Sequence, residues 1–338
     1  MPSIDPFNAT GFNLTTLTQA INKLPNQYGR LEQLGLFPIK GISTRTLEVE
    51  ERNGVLTLVP THGWGAPGAQ NKSGKRILRT FSIPQMTLED AVQAADVVGI
   101  RRFGSENELE TVEQRVNDKL QEMRNKLDQT LEYRRFGALK GIMYDADAST
   151  VLYNLYTEFG VSPMAIDFAL NVTTTEVLTK CLTVKRHIED KLMGERCSGY
   201  LALVSSEFYD KLTTHAVVKD AYKYWSAAQR NLTEDQRSGF TFGGITFEEY
   251  RATVTNTGGT QTKLITALDG HIIPLGTSST FSTFAAAADF VETVNTIGQQ
   301  YYVKSEVQKY VRGLDMHVQS NVLPMCMRPE LLVRIYTS

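Results

Sequence analysis

The 338-residue sequence predicts an α+β fold, and three of its features carry that prediction. A β-hairpin is predicted at 44–59, because residues 46–50 alternate polar and apolar side chains before Asn53-Gly54. These two residues tolerate the positive φ angles of a tight type I′ turn. A long amphipathic helix is predicted over 105–136, and short strands and helices follow from 141 onward. A hairpin, one long helix and short elements of both kinds are typical of an α+β protein.

The predicted hairpin belongs to a longer extended segment, 41–86. Residues 55–59 are expected to return as its second strand, and the glycine- and proline-rich stretch 60–74 is expected to form a loop that cannot pack a core. A third extended run covers 76–83, with alternate apolar residues on one face. Because a two-stranded unit is marginally stable alone, we expect it to lie on another surface, either its own body or a neighbour.

The long helix is predicted from a capping pattern and a continuous apolar stripe. Ser105 and Glu108 have capping-box spacing, and Gly137 is expected to end the helix. About 30 residues give a rod of roughly 45 Å. One apolar stripe beside faces charged with both signs favours packing against a sheet, with a coiled coil as the alternative. The stripe consists of Leu109, Val112, Val116, Leu120, Met123, Leu127 and Leu131.

Shorter elements are predicted on both sides of residue 200. Thr173 and Glu176 have the spacing to cap a helix that ends at Gly194. Residues 200–204 are predicted to form a buried strand, and 206–225 a second helix. The remaining predictions are two strands within 141–156, strands at 240–242, 244–247 and 264–268, a helix at 285–296, and extended runs at 303–313 and 330–336.

Composition argues against several classes of protein. The 35 Lys and Arg residues against 37 Asp and Glu residues give a net charge of -2, unlike a strongly basic nucleic-acid binder. Three cysteines without a C-x-x-C pair argue against a disulfide framework and a zinc cluster. No apolar run approaches the ~18 residues of a membrane span, and the N-terminus lacks a signal-peptide pattern. We therefore expect a soluble protein of a reducing cytoplasm, with no membrane partner.

The sequence contains no catalytic motif that we can identify. The glycine-rich stretch 68–76 has five residues between its glycines where a P-loop has four, and Arg76 stands where a P-loop has Ser or Thr. The five histidines lack ligand spacing, and His187 is interpreted as a solvated surface residue. The pairs Glu50-Glu51 and Glu248-Glu249 would point to opposite faces of a strand and are interpreted as solvated. We therefore predict no enzyme, and no catalytic, cofactor-binding or metal-binding residue.

A cluster of basic residues lies just before and within the third extended run, 76–83. It lacks the interleaved aromatic residues of single-stranded nucleic-acid sites, so contact with nucleic acid is one interpretation and contact with another copy of the chain is the other. The acidic start of the long helix would be a complementary surface. The candidate inter-subunit residues are therefore the basic Lys72, Lys75, Arg76 and Arg79 and the acidic Glu106, Glu110 and Glu113.

An ordered set of short segments along nearly the whole chain carries a family resemblance. The most specific segment is LDQTLEYRRFGALKG at 127–141, and EERNGVLTLVP at 50–60 is another. Others are 20–25, 29–31, 65–68, 103–105, 145–147, 151–155, 291–296, 319–321 and 328–333. The set resembles the lambda-type phage major capsid proteins, the E protein family. The sequence departs from many relatives at 285–289, where a proline before the Ala-Asp pair is absent. This departure concerns a helix start and no function.

The resemblance implies the Hong Kong 97-type capsid fold, an α+β architecture, and it implies segment boundaries. Residues 1–40 would form an N-terminal arm that packs on adjacent subunits, and 41–90 an extended loop that lies across a neighbour. Residues 91–160 would form a peripheral domain with the long helix as its spine, and 161–305 an axial domain. Residues 306–338 would return to the peripheral domain.

The resemblance also implies a structural function. Identical chains would form pentamers and hexamers and then an icosahedral shell around double-stranded DNA, assembled in the cytoplasm of a bacterial host and retained in the virion. The implied partners are further copies of the chain, a scaffold protein, a portal, DNA contacted without sequence specificity and, in some relatives, a decoration protein. Two alternatives stay open: an enzyme that uses the glycine loop, and a ring-forming phage protein such as a tail tube.

Overall fold

A computed structural model of the chain describes residues 18, 21, 29–52, 76–96, 112–192, 194–219, 221, 239–277 and 280–338. The predicted turn at Asn53-Gly54, the strand at 55–59 and the loop at 60–74 lie outside these residues. The predicted first turns of the long helix, before Val112, lie outside them as well.

In the described part of the chain, short helices and strands surround one long helix. The helices are α1 (Arg30–Gln33), α2 (Val112–Lys140), α3 (Leu155–Phe159), α4 (Val177–Leu192) and α5 (Ser206–Thr214). The strands are β1 (Ile39–Gly41), β2 (Thr46–Arg52), β3 (Arg76–Ser82), β4 (Met86–Gln93), β5 (Ile142–Tyr144), β6 (Val151–Asn154), β7 (Met164–Asp167), β8 (Gly199–Val204), β9 (Phe240–Phe242), β10 (Ile245–Glu249), β11 (Thr253–Thr255), β12 (Gln261–Lys263), β13 (Asp269–Leu275), β14 (Phe281–Ala285), β15 (Tyr302–Val307), β16 (Gly313–Ser320), β17 (Val322–Cys326) and β18 (Val333–Tyr336).

A mixed six-stranded sheet has the strand order β7-β18-β13-β8-β10-β9. Side chains of a strand alternate between the two faces of a sheet, and β8 shows this clearly. Ala202 and Val204 belong to one core with Phe208 of α5, whereas Leu203 belongs to another core with Phe136 of α2. The predicted buried strand at 200–204 is therefore confirmed, and the sheet is covered on both faces.

The antiparallel sheet β15-β16-β4 packs on the N-terminal part of α2. Val116 and Leu120 of the helix share a buried core with Val303, Met316 and Val318 of the sheet. The prediction that the apolar stripe lies against a sheet is thus confirmed.

Strands β2 and β3 form an antiparallel two-stranded ribbon. Leu47 and Phe81 are paired across it, and both are buried together with Val49 and Ile83 in the core that contains Phe136. The ribbon was expected to lie either on its own subunit or on a neighbour. These four buried residues pack on its own subunit.

Helix α2 extends past Gly137, so the predicted helix end is wrong. A Cβ added to Gly137 would lie 3.1 Å from the carbonyl oxygen of Ile142 and from Cα of Met143. This glycine therefore permits the close approach of β5. The helix ends at Gly141, whose φ of +77° is in the left-handed region that favours glycine.

Three other predicted elements differ from the structure. The segment 285–296 is not an α-helix, because Ala285 ends β14 and a 3-10 turn at Val291–Thr293 follows. Backbone pairing with neighbouring strands outweighs the helix propensity of its alanines. The predicted helix 206–225 is interrupted, because α5 ends at Thr214 and the backbone of the next residue leaves the helical region, but residues 216–219 and 221 are helical as predicted. Residues 264–268 form bends and turns.

The last strand does not return to the sheet beside α2. Strand β18 pairs with β13 and β7, which both belong to the segment 161–305. Within the segment 306–338, β16 pairs with β4 beside α2, whereas the last strand pairs with strands of the segment 161–305. Strands β4 and β15 also extend the three-stranded sheet across the expected limits at 90 and 305. Such pairings join segments far apart in the chain, so periodicity alone does not reveal them.

Candidate assembly surfaces

The ribbon is fixed to α3 by aromatic and arginine contacts. Phe81 stacks on Phe159 with ring centroids 6.0 Å apart and meets Tyr153 edge-on at 5.5 Å. The Arg79 guanidinium lies 4.9 Å from the Phe159 ring centroid. Its Nε donates to the carbonyl oxygen of Glu158 at 2.6 Å. Arg79 therefore anchors the ribbon within its own chain.

The seven predicted inter-subunit residues fall into different groups. Arg76 is described by its backbone, which pairs with Arg52 at the outer end of the ribbon. Glu113 is exposed near the described start of α2. Arg79 makes the internal contacts given above, so its side chain is anchored within its own subunit, and its contact with another copy stays a prediction. Lys72, Lys75, Glu106 and Glu110 lie outside the described residues.

The described residues of the N-terminal segment pack on their own chain. Ile21 and Leu31 are buried. The hydroxyl oxygen of Thr18 accepts a hydrogen bond from the backbone N–H of Val303 at 3.1 Å, and Arg124 donates to the carbonyl oxygen of Ile21. The expectation that the apolar residues of this segment pack on adjacent subunits is therefore wrong for these residues, which fill the subunit's own cores.

A buried charge cluster on α2 holds α1 in place. Oε1 of Glu132 accepts hydrogen bonds from the backbone N–H of Leu31 at 2.9 Å and from the Tyr250 hydroxyl at 3.2 Å. Arg135 forms an ion pair with Glu32 at 2.7 Å and lies 3.8 Å from Oε2 of Glu132. Burial raises the pKa of the Glu132 carboxyl, although the Leu31 hydrogen bond and the Arg135 charge oppose this shift. The charged face of α2 was expected to face solvent, but Glu132 and Arg135 on it are buried.

Two residues interpreted as solvated have partners inside the chain. The guanidinium of Arg30 donates to both carboxylate oxygens of Glu248, at 2.7 and 2.9 Å, and so ties α1 to β10. Nε2 of His187 lies 3.1 Å from the carbonyl oxygen of Glu330. These contacts join elements far apart in sequence and give both residues a structural role.

The buried histidine and thiols show no arrangement for nucleophilic chemistry. Burial and the charges of Lys140 and Arg334 lower the pKa of His271 to about 3. Burial raises the pKa of the Cys181 and Cys326 thiols to about 12, and the thiolate is the reactive form. Within the described ranges, no group of three or more His, Cys, Asp or Glu side chains could hold a metal ion. None of the described helices is long and apolar enough to cross a membrane.

Large apolar side chains are exposed near the three-stranded sheet, and the sequence patterns did not reveal them. Tyr310 is 87% exposed and Val291 is 88% exposed. Both lie in segments that were predicted as continuous elements, 303–313 and 285–296, and both segments contain turns instead. Exposed apolar residues of this size are candidates for contact with other chains.

Sequence comparison relates the chain to phage capsid proteins. The family model described as phage major capsid protein E matches residues 13–337. The major capsid protein of Pseudomonas phage KPP10 is 30% identical, over 97% of this chain and 98% of that protein. The match therefore spans every element described above.

Solved capsid structures share the fold. The mature capsid of bacteriophage PhiM1 gives a TM-score of 0.53 at 11% identity, over 93% of this chain and 88% of that chain. The capsid of Cyanophage P-SCSP1u gives 0.52 at 11% identity, over 93% and 90%. Identities this low show the fold alone, which is the predicted Hong Kong 97-type α+β capsid fold. Together with the family match over nearly its whole length, these findings show that the chain belongs to the phage major capsid protein E family and is a structural component of the capsid shell.

Proposed function

We propose that this chain forms pentamers and hexamers that close an icosahedral shell around double-stranded phage DNA. The observation that carries the proposal is the capsid-family match over residues 13–337. A closed shell requires each subunit to contact several neighbours at once. Because many contacts are made together, each can be modest in free energy.

The structural units support a division of the chain among these contacts. We assign the ribbon β2–β3 to the base of an extended loop that lies across a neighbouring subunit. Helix α2 with the sheet β15-β16-β4 would form the peripheral domain. The six-stranded sheet with α4 and α5 would form the axial domain, whose loops meet at five-fold and six-fold centres. Separate buried cores beneath the two sheets support this assignment.

The proposed partners beyond the chain itself are a scaffold protein during assembly, a portal and the packaged DNA. A decoration protein is a further partner in this proposal, and assembly takes place in the cytoplasm of the bacterial host. The net charge of -2 supports weak, non-specific DNA contact, because affinity for nucleic acid depends mainly on phosphate contacts from Lys and Arg. We propose no catalytic activity for the chain.

The basic residues within 72–76 and the acidic residues within 106–113 are a proposed contact between copies, without Arg79. A reversal of Arg79 would break the ribbon's anchor on α3, so a loss of assembly would not report on the interface. We therefore place the test on Lys72, Lys75 and Arg76. Their proposed partners are Glu106, Glu110 and Glu113 on the next copy.

Electron microscopy of the full chain tests both proposals. The chain is expressed alone and with the scaffold of its phage, and the void fraction of a sizing column is imaged by negative stain. Closed polyhedral shells are expected. Tubes or rings would instead support the tail-tube alternative, and a small species even with scaffold would contradict capsid assembly.

Charge reversal then tests the contact between copies. Reversing the three basic residues to Glu is expected to lower shell yield about 10-fold, which corresponds to ~1.4 kcal/mol. Reversing the three acidic residues to Lys in the same chain is expected to restore the yield. The control is Lys72→Arg/Lys75→Arg/Arg76→Lys, which keeps all three charges and should assemble normally. Unchanged assembly of the basic triple variant would refute this contact while leaving the shell proposal intact.

A further inference from the structure

The hairpin between β15 and β16 ends in a tip, Gln308–Arg312, that presents an exposed aromatic ring. Tyr310 is 87% exposed, and the Arg312 guanidinium lies 5.6 Å from its ring centroid. Lys309 directly precedes Tyr310 in the sequence, and Arg312 follows it two residues later. Neither Lys309 nor Arg312 forms an ion pair with a carboxylate among the described residues. Tyr and Arg are the residue types that dominate binding at protein interfaces.

The backbone holds this tip in an unfavourable but fixed conformation. Tyr310 and Val311 have φ angles of +65° and +55°. This region costs a side-chain-bearing residue roughly 1–2 kcal/mol. The N–H of Gln308 donates to the carbonyl oxygen of Gly313 at 3.0 Å, and the Gln308 amide donates to Asp315 at 2.6 Å. The ring is therefore displayed in one direction, and its free energy cost is consistent with a role outside the subunit's own stability.

The outer face of the same sheet carries an open groove of about 540 Å³. Met316 and Val318 point toward α2, so Asp315 and His317 point to the opposite face, where the groove lies. Phe290 lines it and packs edge-on against His317 with ring centroids 5.7 Å apart. A cavity of about 150 Å³ holds a benzene ring. The groove therefore has room for an aromatic side chain beside Phe290.

Glu306 and Asp315 are two groove carboxylates without an ion-pair partner among the described residues. Glu306 and Asp315 stand directly opposite each other on β15 and β16, where like charges destabilise strand pairing. Neither forms an ion pair with a lysine or arginine of the described residues. The nearby Lys304 is already paired with Glu292 at 2.8 Å. Two further carboxylates line the groove: Asp90, which is paired with Lys119 at 2.9 Å, and Glu89, which lies 3.1 Å from Nδ1 of His317. The groove is therefore complementary in charge to the tip.

We propose that the tip of one subunit inserts into this groove of a neighbouring subunit. The Tyr310 ring would pack against Phe290, and the two cations beside it would neutralise the Glu306–Asp315 pair. The inference rests on the proposed function, because a contact between two copies has a role in a subunit that packs against its neighbours.

The Tyr310 ring does not occupy the groove of its own chain, because it is 87% exposed. Gln308 of the tip reaches Asp315 at the near end of the groove, but His317 stands four residues beyond Gly313 along β16, roughly 14 Å away at 3.4 Å per residue. The contact is therefore made between copies. Since the tip and the groove are different surfaces, it is a head-to-tail contact, which closes into a ring when the rotation between subunits permits.

Charge reversal in the full chain tests the pairing. The tip variant Lys309→Glu/Arg312→Glu and the groove variant Glu89→Lys/Glu306→Lys are each expected to lower shell yield about 10-fold, equivalent to ~1.4 kcal/mol. The variant that combines all four changes is expected to recover most of the yield. Tyr310→Ser is expected to lower yield similarly, whereas Tyr310→Phe keeps the ring and should assemble.

A matched control separates the contact from folding. Ala148→Asn lies outside the tip and the groove at a φ of +59°, and Asn tolerates positive φ. It should therefore assemble normally and raise the free energy of unfolding. Circular dichroism and urea unfolding of each variant check that the subunit folds.

The outcomes distinguish this inference from the proposed function. The inference would be overturned if the tip and groove variants assemble like the wild type. It would also be overturned if each variant lowers shell yield but the variant that combines all four changes does not recover it. A wild-type chain that forms no shells contradicts the proposed function. In that case, oxidation of the Lys309→Cys/Glu89→Cys variant decides the inference. Inter-chain disulfides absent from either single variant support it, and their absence from the double variant overturns it.

Discussion

Replacement of Glu132 tests whether its charge or its hydrogen bonds hold the N-terminal segment. Glu132→Gln keeps Oε1 as the acceptor for the Leu31 N–H and the Tyr250 hydroxyl. Its amide nitrogen replaces Oε2, which has no hydrogen-bond partner. Glu132→Ala removes the acceptor as well as the charge. The two variants therefore separate the two contributions at one buried position.

The expected magnitudes follow from the groups left without partners. The Ala variant leaves two buried donors unpaired, at ~1–3 kcal/mol each, partly offset by removal of a buried charge. Arg135 keeps Glu32 at 2.7 Å. We therefore expect a loss of about 3 kcal/mol in the free energy of unfolding, at the low end for a broken buried ion pair. The Gln variant loses no hydrogen bond to these donors, and we expect a change below about 1 kcal/mol.

The pH dependence has a definite sign. Burial raises the pKa of Glu132 in the folded state, so the folded subunit binds this proton more tightly than the unfolded chain. Its contribution to stability is fully present below the unfolded pKa of roughly 4.3, and it is lost as pH rises through the folded pKa. The free energy of unfolding of the wild type should therefore fall relative to Glu132→Gln as pH rises from about 4 to 7.5.

Urea unfolding of unassembled subunits at both pH values measures these differences. If Glu132→Gln loses as much stability as Glu132→Ala at neutral pH, the charge itself holds the segment and the reasoning fails. A wild-type curve parallel to that of the Gln variant across this pH range would contradict the raised pKa.

Two further predictions concern a backbone position and a buried ring. Gly141→Ala should destabilise the subunit by about 3 kcal/mol, from the left-handed φ and from overpacking against Tyr156, whose Cζ would lie 2.5 Å from the new Cβ. Gly35→Ala, with φ of +62° in open space, should cost only ~1 kcal/mol in urea unfolding, and equal losses would refute the steric argument. Because the pKa of His271 is lowered to about 3, wild-type stability should fall relative to His271→Phe as pH drops below roughly 6.5, by up to ~1.4 kcal/mol per pH unit. Parallel pH profiles from thermal unfolding would show that the ring is not held neutral.

Local periodicity predicted the elements that depend on neighbouring residues in the chain. The apolar stripe of α2 and the strand at 200–204 were found where the patterns placed them. Gly137 was misread because its role is set by β5, which packs against it. The start of the segment 285–296 was misread because Ala285 pairs with distant strands and the N–H of Ala286 donates to the carbonyl oxygen of Asn321. Long-range pairing also places β18 in a sheet that its position in the chain does not suggest.

Charge signs predicted candidate contact residues but not their partners. Arg79 reads as one of four similar cations in the sequence, yet a nearby aromatic ring and carbonyl oxygens satisfy it internally. Glu132 reads as a surface residue of a charged helix face, yet it is buried where α1 crosses the helix. Tyr310 gave no signal, since its turn adopts positive φ without glycine or asparagine. In each case the deciding interaction lies outside the local window.

Residues that stabilise the fold through contacts within the chain differ from residues that are exposed and contribute little to stability. The contacts of Thr18, Arg79 and Glu132 lie within the chain and join distant segments. Tyr310 contributes almost no burial to its own subunit, and its turn is held at an unfavourable φ. Substitutions of the first kind should therefore lower the free energy of unfolding before they affect any interface. Substitutions that remove the Tyr310 ring should leave the free energy of unfolding nearly unchanged and lower assembly, so the two assays should rank the same variants in opposite orders.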